Sequence, residues 1–360
     1  MDEPFKKSKK RLRGGAAFCL SLLLLVPGFT GTAAAVTPLT KETVSAAQTL
    51  IPVGHTIGIK LFSRGVLVVK LSEGSTPATS CGLEAGDVIL KCGSTTVTSS
   101  EQFRDLLQET GGAETKMQVR RGSKRLTLTV EAKKDAEGAY AIGAWIRDSM
   151  AGIGTMTFYD PETGVFGALG HGITDTDTAL LMPFSSGSIL PSTVKAVKKG
   201  EVGAAGELRG DFDLKGDFGE LYANTDGGIF GTLDEEDRIG FTESLGGAIP
   251  VAENSEVKTG KASILANVSG DAVREYAVEI TRIFDDATDS RNLLITVTDP
   301  ELLALTGGIV QGMSGSPILQ DGRLVGAVTH VLLNDPTRGY GILIRNMLED
   351  ADVESVENVS

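Results

Sequence analysis

From Tyr140 to about Ala351 the chain is a succession of short β-like runs cut by Gly, Asp-Gly and Asn-containing turns, with few stretches of helical period. A chain so punctuated lays down many short strands, and these close into an all-β sandwich or barrel. The 45 glycines and 5% aromatic content agree, because small residues suit turns and closely packed strands. One hairpin is readable directly: Asp160-Pro161-Glu162-Thr163-Gly164 joins the run 154–159 to the run 165–170. His171 then stands just past a strand end.

At 360 residues the chain exceeds one ordinary domain, so two folded units with short flanks are expected. Charge divides it further. Residues 1–13 carry Lys6, Lys7, Lys9, Lys10, Arg11 and Arg13 against two acids, which leaves −17 on the remainder of a chain whose net charge is −13. An acidic body excludes a nucleic-acid partner, which needs a basic surface patch. The basic head instead precedes an uncharged run, 14–40, whose apolar heart from Ala16 to Val26 is broken by Pro27-Gly28 and followed by Ala33-Ala34-Ala35. That is the pattern of an export signal, with residues 1–40 either cleaved at a small-residue site or retained as a membrane anchor. In both cases the body is extracytoplasmic. Cys19 lies in the apolar run, so only Cys81 and Cys92 remain, and they read as buried free thiols rather than a disulfide framework.

The first folded unit spans 41–135. Ile57, Ile59 and Leu61 alternate, Gly65-Val66-Leu67-Val68-Val69 is β-branched, and Ser99 with Gln102 forms a capping box opening a helix that Gly111-Gly112 ends. A hairpin turns at Gly122-Ser123. With "GLEAGDVIL", the helix 101–109 and the loop "HTIGIK", this unit resembles a PDZ domain. That resemblance implies an α+β fold that binds peptide termini by strand addition, in a groove lined by Ile57, Gly58, Ile59, Phe103 and Leu107.

Gly312-Met313-Ser314-Gly315-Ser316-Pro317, followed by a strand, an Asp321-Gly322 turn and a second strand, carries the chemistry. A serine between glycines lets the amides of Gly312 and Ser314 converge as an oxyanion hole, where each donor lowers an acyl-transfer barrier by about 3 kcal/mol. The α/β-hydrolase elbow is disfavoured, because serine rather than glycine occupies position 316. A serine nucleophile needs an imidazole base, and the chain has three: His55, His171 and His330. His171, glycine-flanked in "GALGHGITD", is the expected base. His55 falls in the PDZ loop, and His330 sits where chymotrypsin-like enzymes build a pocket wall. Asp175, Asp211, Asp213, Asp217 and Asp299 all stand as candidates to orient the imidazole. No cofactor or metal is expected, since a calcium loop counted from Asp211 would need glutamate where Tyr222 stands.

"GALGHGITD", "NTDGGIFG", "TVTDPELL", "GGIVQGMSGSPI" and "GAVTHVLLNDPTRGYGI" closely resemble the stage IV sporulation protein B peptidases, over nearly the whole chain. The resemblance implies a PDZ domain followed by a chymotrypsin-like double β-barrel over 136–355, with His171, Asp299 and Ser314 as triad. It also implies a forespore-made enzyme, exported between two membranes, that trims its own N-terminal region and cleaves a membrane-bound regulator. That cut frees an intramembrane protease to activate a mother-cell sigma factor. The alternatives are an HtrA-like quality-control protease, against which the domain order speaks, and a non-catalytic PDZ scaffold.

Overall fold

Two antiparallel strands of 16 residues, Thr56–Leu71 and Ala144–Tyr159, organise the molecule. In this computed structural model, residues 48–357 are described apart from 213–215, 235–240, 244, 285–286 and 288. The expected signal or anchor, 1–40, lies outside the described residues, and among those described no helix is long and apolar enough to cross a membrane.

The long strands pair from Thr56↔Thr155 to Phe62↔Ser149, slip at an irregularity, and resume from Leu67↔Arg147 to Leu71↔Ala144. Their two halves belong to different bodies. The first half of Thr56–Leu71 and the second half of Ala144–Tyr159 close a six-stranded ring with Val165–Ala168, Gly228–Leu233, Gly219–Thr225 and Phe184–Lys198. Alternation explains it: Ile57, Ile59 and Leu61 are all at most 3% exposed, and the first two pack with Met156, Phe166, Ile189 and Ile229. Each such side chain contributes roughly 1.5–3 kcal/mol by leaving water.

A second closed barrel contains Gly260–Asn267, Val273–Ile283, Leu293–Val297, Asp335–Leu343, Arg323–Leu332 and Pro317–Gln320. Its interior is filled by Ile264, Val278, Ile295, Ile318, Val328 and their neighbours. The peptidase part is thus a mostly β, chymotrypsin-like double barrel.

Between the two long strands the chain makes its α+β PDZ unit. Val88–Cys92 pairs with residues 66–67 on one side and with Thr115–Arg121 on the other, and Lys124–Val130 completes the sheet. The helix Ser100–Thr110 covers a core of Val66, Val68, Ile89, Met117 and Val119. Ser99 accepts from the Gln102 amide at 3.0 Å, but the Gln102 side chain turns to Thr98, so the expected capping box is half made. Arg121 grips the fully buried Asp87 with two bonds of 2.7 Å, satisfying the charge within "GLEAGDVIL". Cys81 and Cys92 are free, the second buried and the first half-buried.

Candidate active site

Ser314 and His171 line one cavity of about 450 Å³ between the barrels. Ser314 sits on the turn before the strand Pro317–Gln320 of the second barrel, with Gly312 at φ +98° and Gly315 at φ +96°, backbone that glycine adopts without strain. The amides of Gly312 and Ser314 donate to no other described group, whereas the Met313 amide bonds to Val310 and the Gly315 amide to Val328. The Ser314 hydroxyl donates to the Thr329 carbonyl at 2.8 Å.

His171 follows the strand Val165–Ala168 of the first barrel through Leu169, a non-glycine residue at φ +69°. Such strain persists where surrounding structure over-determines it. Here the Leu169 amide is held by the Thr155 carbonyl at 3.2 Å. His171 Nδ1 lies 2.9 Å from the Gly172 carbonyl. A carbonyl only accepts, so Nδ1 carries the hydrogen and Nε2 is left as the base. Burial pushes the His171 pKa below its ordinary value, opposed in part by the Gly172 carbonyl.

His330 is the second imidazole of the cavity, its ring 4.9 Å from that of His171 and tilted by 37°. Burial, then His171, then Arg291 push its pKa down to about 4, against the opposing pull of Asp289. The other walls include Ile59, Met150, Ile153, Leu169, Ile309 and Val310, and no described acid, lysine or arginine lines the cavity.

Asp299, expected as the triad acid, is not brought to His171. Its Oδ1 caps the helix Pro300–Thr306, accepting from the amides of Glu301 (2.9 Å) and Leu302 (3.0 Å), and its Oδ2 accepts from Ala277 at 3.3 Å. An aspartate before a proline that starts a helix suits this use. The other candidate carboxylates are engaged elsewhere or away from the imidazole. Asp175 is bonded by Thr178, Asp177 and Arg147, and Asp217 pairs with Lys60 at 2.9 Å. Asp211 faces Thr193 across a strand pair, and Asp213 lies outside the described residues. Among the described residues no group of acids, histidines and cysteines could hold a metal.

The expected peptide groove also needs correcting. Ile57, Gly58 and Ile59 lie in the first barrel, where a Cβ on Gly58 would come within 2.9 Å of Phe212, so the glycine serves strand packing rather than a bound carboxylate. Phe103 and Leu107, 1% and 3% exposed, point into the PDZ core. Residues 144–147 lie beside 67–71, and hydrogen bonds tie this segment to both ends of the helix Ser100–Thr110. At one end the Ser100 amide donates to Asp148 at 2.7 Å. At the other, Gln108 donates to the Tyr140 carbonyl (2.8 Å) and accepts from its amide (2.9 Å). Residues 144–147 thus run along 67–71 in the place where an added peptide strand would pair.

Sequence reasoning missed Asn224, whose side chain accepts from the Ile173 amide at 2.8 Å and donates to the Met182 carbonyl at 3.0 Å, pinning the loop after His171. Within "NTDGG" it carries only the signal of a turn. The carbonyls of Gly172 and Thr329 carry none at all.

Comparison with known proteins bears on the whole arrangement. The SpoIVB peptidase S55 family model matches residues 138–348, and a PDZ domain model matches 46–132. Among solved structures, the PDZ domain of the SdrC-like protein Lmo2051 from Listeria monocytogenes is 26% identical over 23% of this chain and 87% of its own, with a TM-score of 0.21. The active form of the Rv3671c protease from M. tuberculosis is 14% identical over 56% of this chain and 74% of its own, at 0.32. The HtrA-type protease AlgW with a decapeptide is 9% identical over 84% and 65%, at 0.34. No curated protein matches. With more than half of its length matched by that peptidase model, the chain is a serine endopeptidase carrying a PDZ domain and belongs to the SpoIVB peptidase S55 family.

Proposed function

We propose that this chain is an exported serine endopeptidase of sporulation signalling, in which His171 takes the proton of Ser314 and the amides of Gly312 and Ser314 hold the oxyanion. The observation that carries the reading is one cavity with the serine on one wall, an imidazole with a free Nε2 on the other, and two undonated amides beside the serine.

The Ser314 hydroxyl first turns from the Thr329 carbonyl to His171 Nε2. It then attacks the scissile carbonyl as its proton passes to the imidazole, and the tetrahedral oxyanion sits between the two amides. Collapse expels the leaving amine, which takes the proton back from the imidazolium, and water repeats the sequence to free Ser314. The Gly172 carbonyl keeps His171 in the working tautomer throughout. The uncharged, largely apolar walls suit a substrate with apolar side chains around the cut.

Export through residues 1–40, trimming of the segment 36–49, and cleavage of a membrane-bound regulator in the space between two membranes complete the proposal. The N-terminal pattern and membership of the family support it. Mass spectrometry of the mature N-terminus, in wild type and Ser314→Ala expressed in a spore-forming host, tests it. The expected outcome is a trimmed wild type and an untrimmed variant; identical termini that both lie beyond residue 40 would remove the self-processing, and equal peptide turnover would remove the nucleophile.

A further inference from the structure

Thr155 lies in the long strand Ala144–Tyr159, 1% exposed, and three bonds leave it toward the two halves of the cleft. Its amide donates to the Ser314 carbonyl at 2.9 Å, and its hydroxyl donates to the Gly312 carbonyl at 2.7 Å. Its own carbonyl accepts from the amide of Leu169, two residues before His171. The approach is close enough that a Cβ on Gly315 would fall 2.0 Å from that carbonyl.

We propose that Thr155 is a positioning residue for the reaction, its hydroxyl holding the nucleophile turn in the form that presents the oxyanion amides. The inference rests on Ser314 being the nucleophile. Gly312 and Gly315 leave the turn conformationally loose, since glycine crosses between backbone regions at little steric cost. Fixing the carbonyls at Gly312 and Ser314 fixes the Gly312–Met313 and Ser314–Gly315 peptide planes, which bracket the plane that carries the Ser314 amide. Those planes carry the turn on which the undonated amides stand.

The bland reading is that a threonine suits a strand by its β-branch alone. Thr157, two residues on and fully buried, fits that reading, for its hydroxyl has no partner. Thr155 differs in being bonded to the reacting turn. The two threonines therefore form a matched pair of the same side chain in the same strand.

The test is the rate at which a fluorophosphonate probe labels Ser314, read on folded protein, together with inhibition by a peptide aldehyde whose oxygen would enter the oxyanion hole. Thr155→Val should slow labelling roughly 10- to 100-fold and weaken aldehyde binding more than it raises substrate KM, the scale of a misplaced catalytic group. Thr155→Ser should restore most of the rate, and Thr157→Val should leave it at the wild-type value. Should the valine variant not fold, Thr155→Ser against Thr155→Ala decides, because both lack the methyl and differ in the hydroxyl alone. Equal rates for that pair would overturn the inference, as would a Thr155→Val enzyme that labels like wild type. Wild type that takes no label at Ser314 overturns the nucleophile reading and this inference with it.

Discussion

Two concave places in this molecule are built to receive an extended chain, and they have met opposite fates. Beside the helix Ser100–Thr110, the molecule's own residues 144–147 pair along 67–71, where PDZ domains add a peptide strand, and the flanking Asp148 and Tyr140 are bonded to the helix at Ser100 and Gln108. Between the barrels, no described segment of the chain fills the cleft, and its two amides and one imidazole nitrogen bond to no described group. One strand explains both. Ala144–Tyr159 enters as the filling of the groove, passes Met150 and Ile153 in the cleft wall, and reaches Thr155 at the nucleophile turn. Strand addition, which elsewhere recruits a partner, here welds the PDZ unit to the peptidase.

The largest effect expected of this contrast lies in the cleft. Ser314→Ala should reduce kcat by about 10⁴-fold or more in a peptide assay, leaving at most the residual rate of the oxyanion site. A variant of equal folding that retains a hundredth of wild-type activity would make the open cleft something other than the catalytic centre.

A smaller effect, of about tenfold per pH unit, concerns the same cleft. The base works neutral, and burial holds the His171 pKa below the usual histidine value near 6.5. The acid limb of kcat/KM should therefore have its midpoint below that value, with activity lost as pH falls through it. A midpoint above 7 would mean that an anion faces the imidazole. His330 acts on stability with the same sign. Its pKa near 4 means the unfolded chain binds a proton there that the folded chain, with His171, Arg291 and Asp289 around the ring, refuses. Stability should decline as pH drops from about 6.5 toward 4, and His330→Phe should flatten that decline.

In the groove the expected changes are of about 1 kcal/mol each. Gln108→Ala and Asp148→Ala each remove hydrogen bonds that tie strand to helix, and urea denaturation should register roughly that loss apiece. Wild type should bind no C-terminal peptide in the groove by calorimetry. Micromolar binding that is unchanged by both substitutions would show that the slot is open after all, and the comparison between the two regions would fail.

How much of this was readable beforehand follows from whether the signal is local. The hairpin at Asp160–Gly164, the helix capped by Ser99 and ended by Gly111, and the glycine-flanked Ser314 turn all declare themselves within a few residues, and all are present. Strand pairing is not local. The alternation at Ile57, Ile59 and Leu61 states that a strand has one buried face, yet it fits a groove and a barrel equally, and only the closing of the ring with residues 150–155 and 184–191 decides. The partner of His171 Nδ1 was unreadable for another reason. It is a backbone carbonyl, which every residue possesses, so nothing in "GHGITD" distinguishes it.

Asp299 offers the smallest expected effect and the sharpest boundary to the cleft. Asparagine caps a helix about as well as aspartate, so Asp299→Asn keeps the bonds to Glu301 and Leu302 while removing the charge. As a cap, Asp299 should tolerate this change with kcat/KM within about threefold of wild type, since cap strength is nearly preserved. Asp299→Ala should instead lower stability by about 1 kcal/mol, as cap loss does, with the activity of each folded molecule unchanged. Were Asp299 the triad acid, the asparagine variant would fall by about 10⁴-fold through the wrong histidine tautomer, at an unaltered melting temperature. Kinetics and thermal melts on the two variants separate these cases. A folded Asp299→Asn enzyme that has lost its turnover would mean that the helix Pro300–Thr306 gives up its cap to His171 in the working state, and that the cleft's chemistry extends to a carboxylate this arrangement keeps away from it.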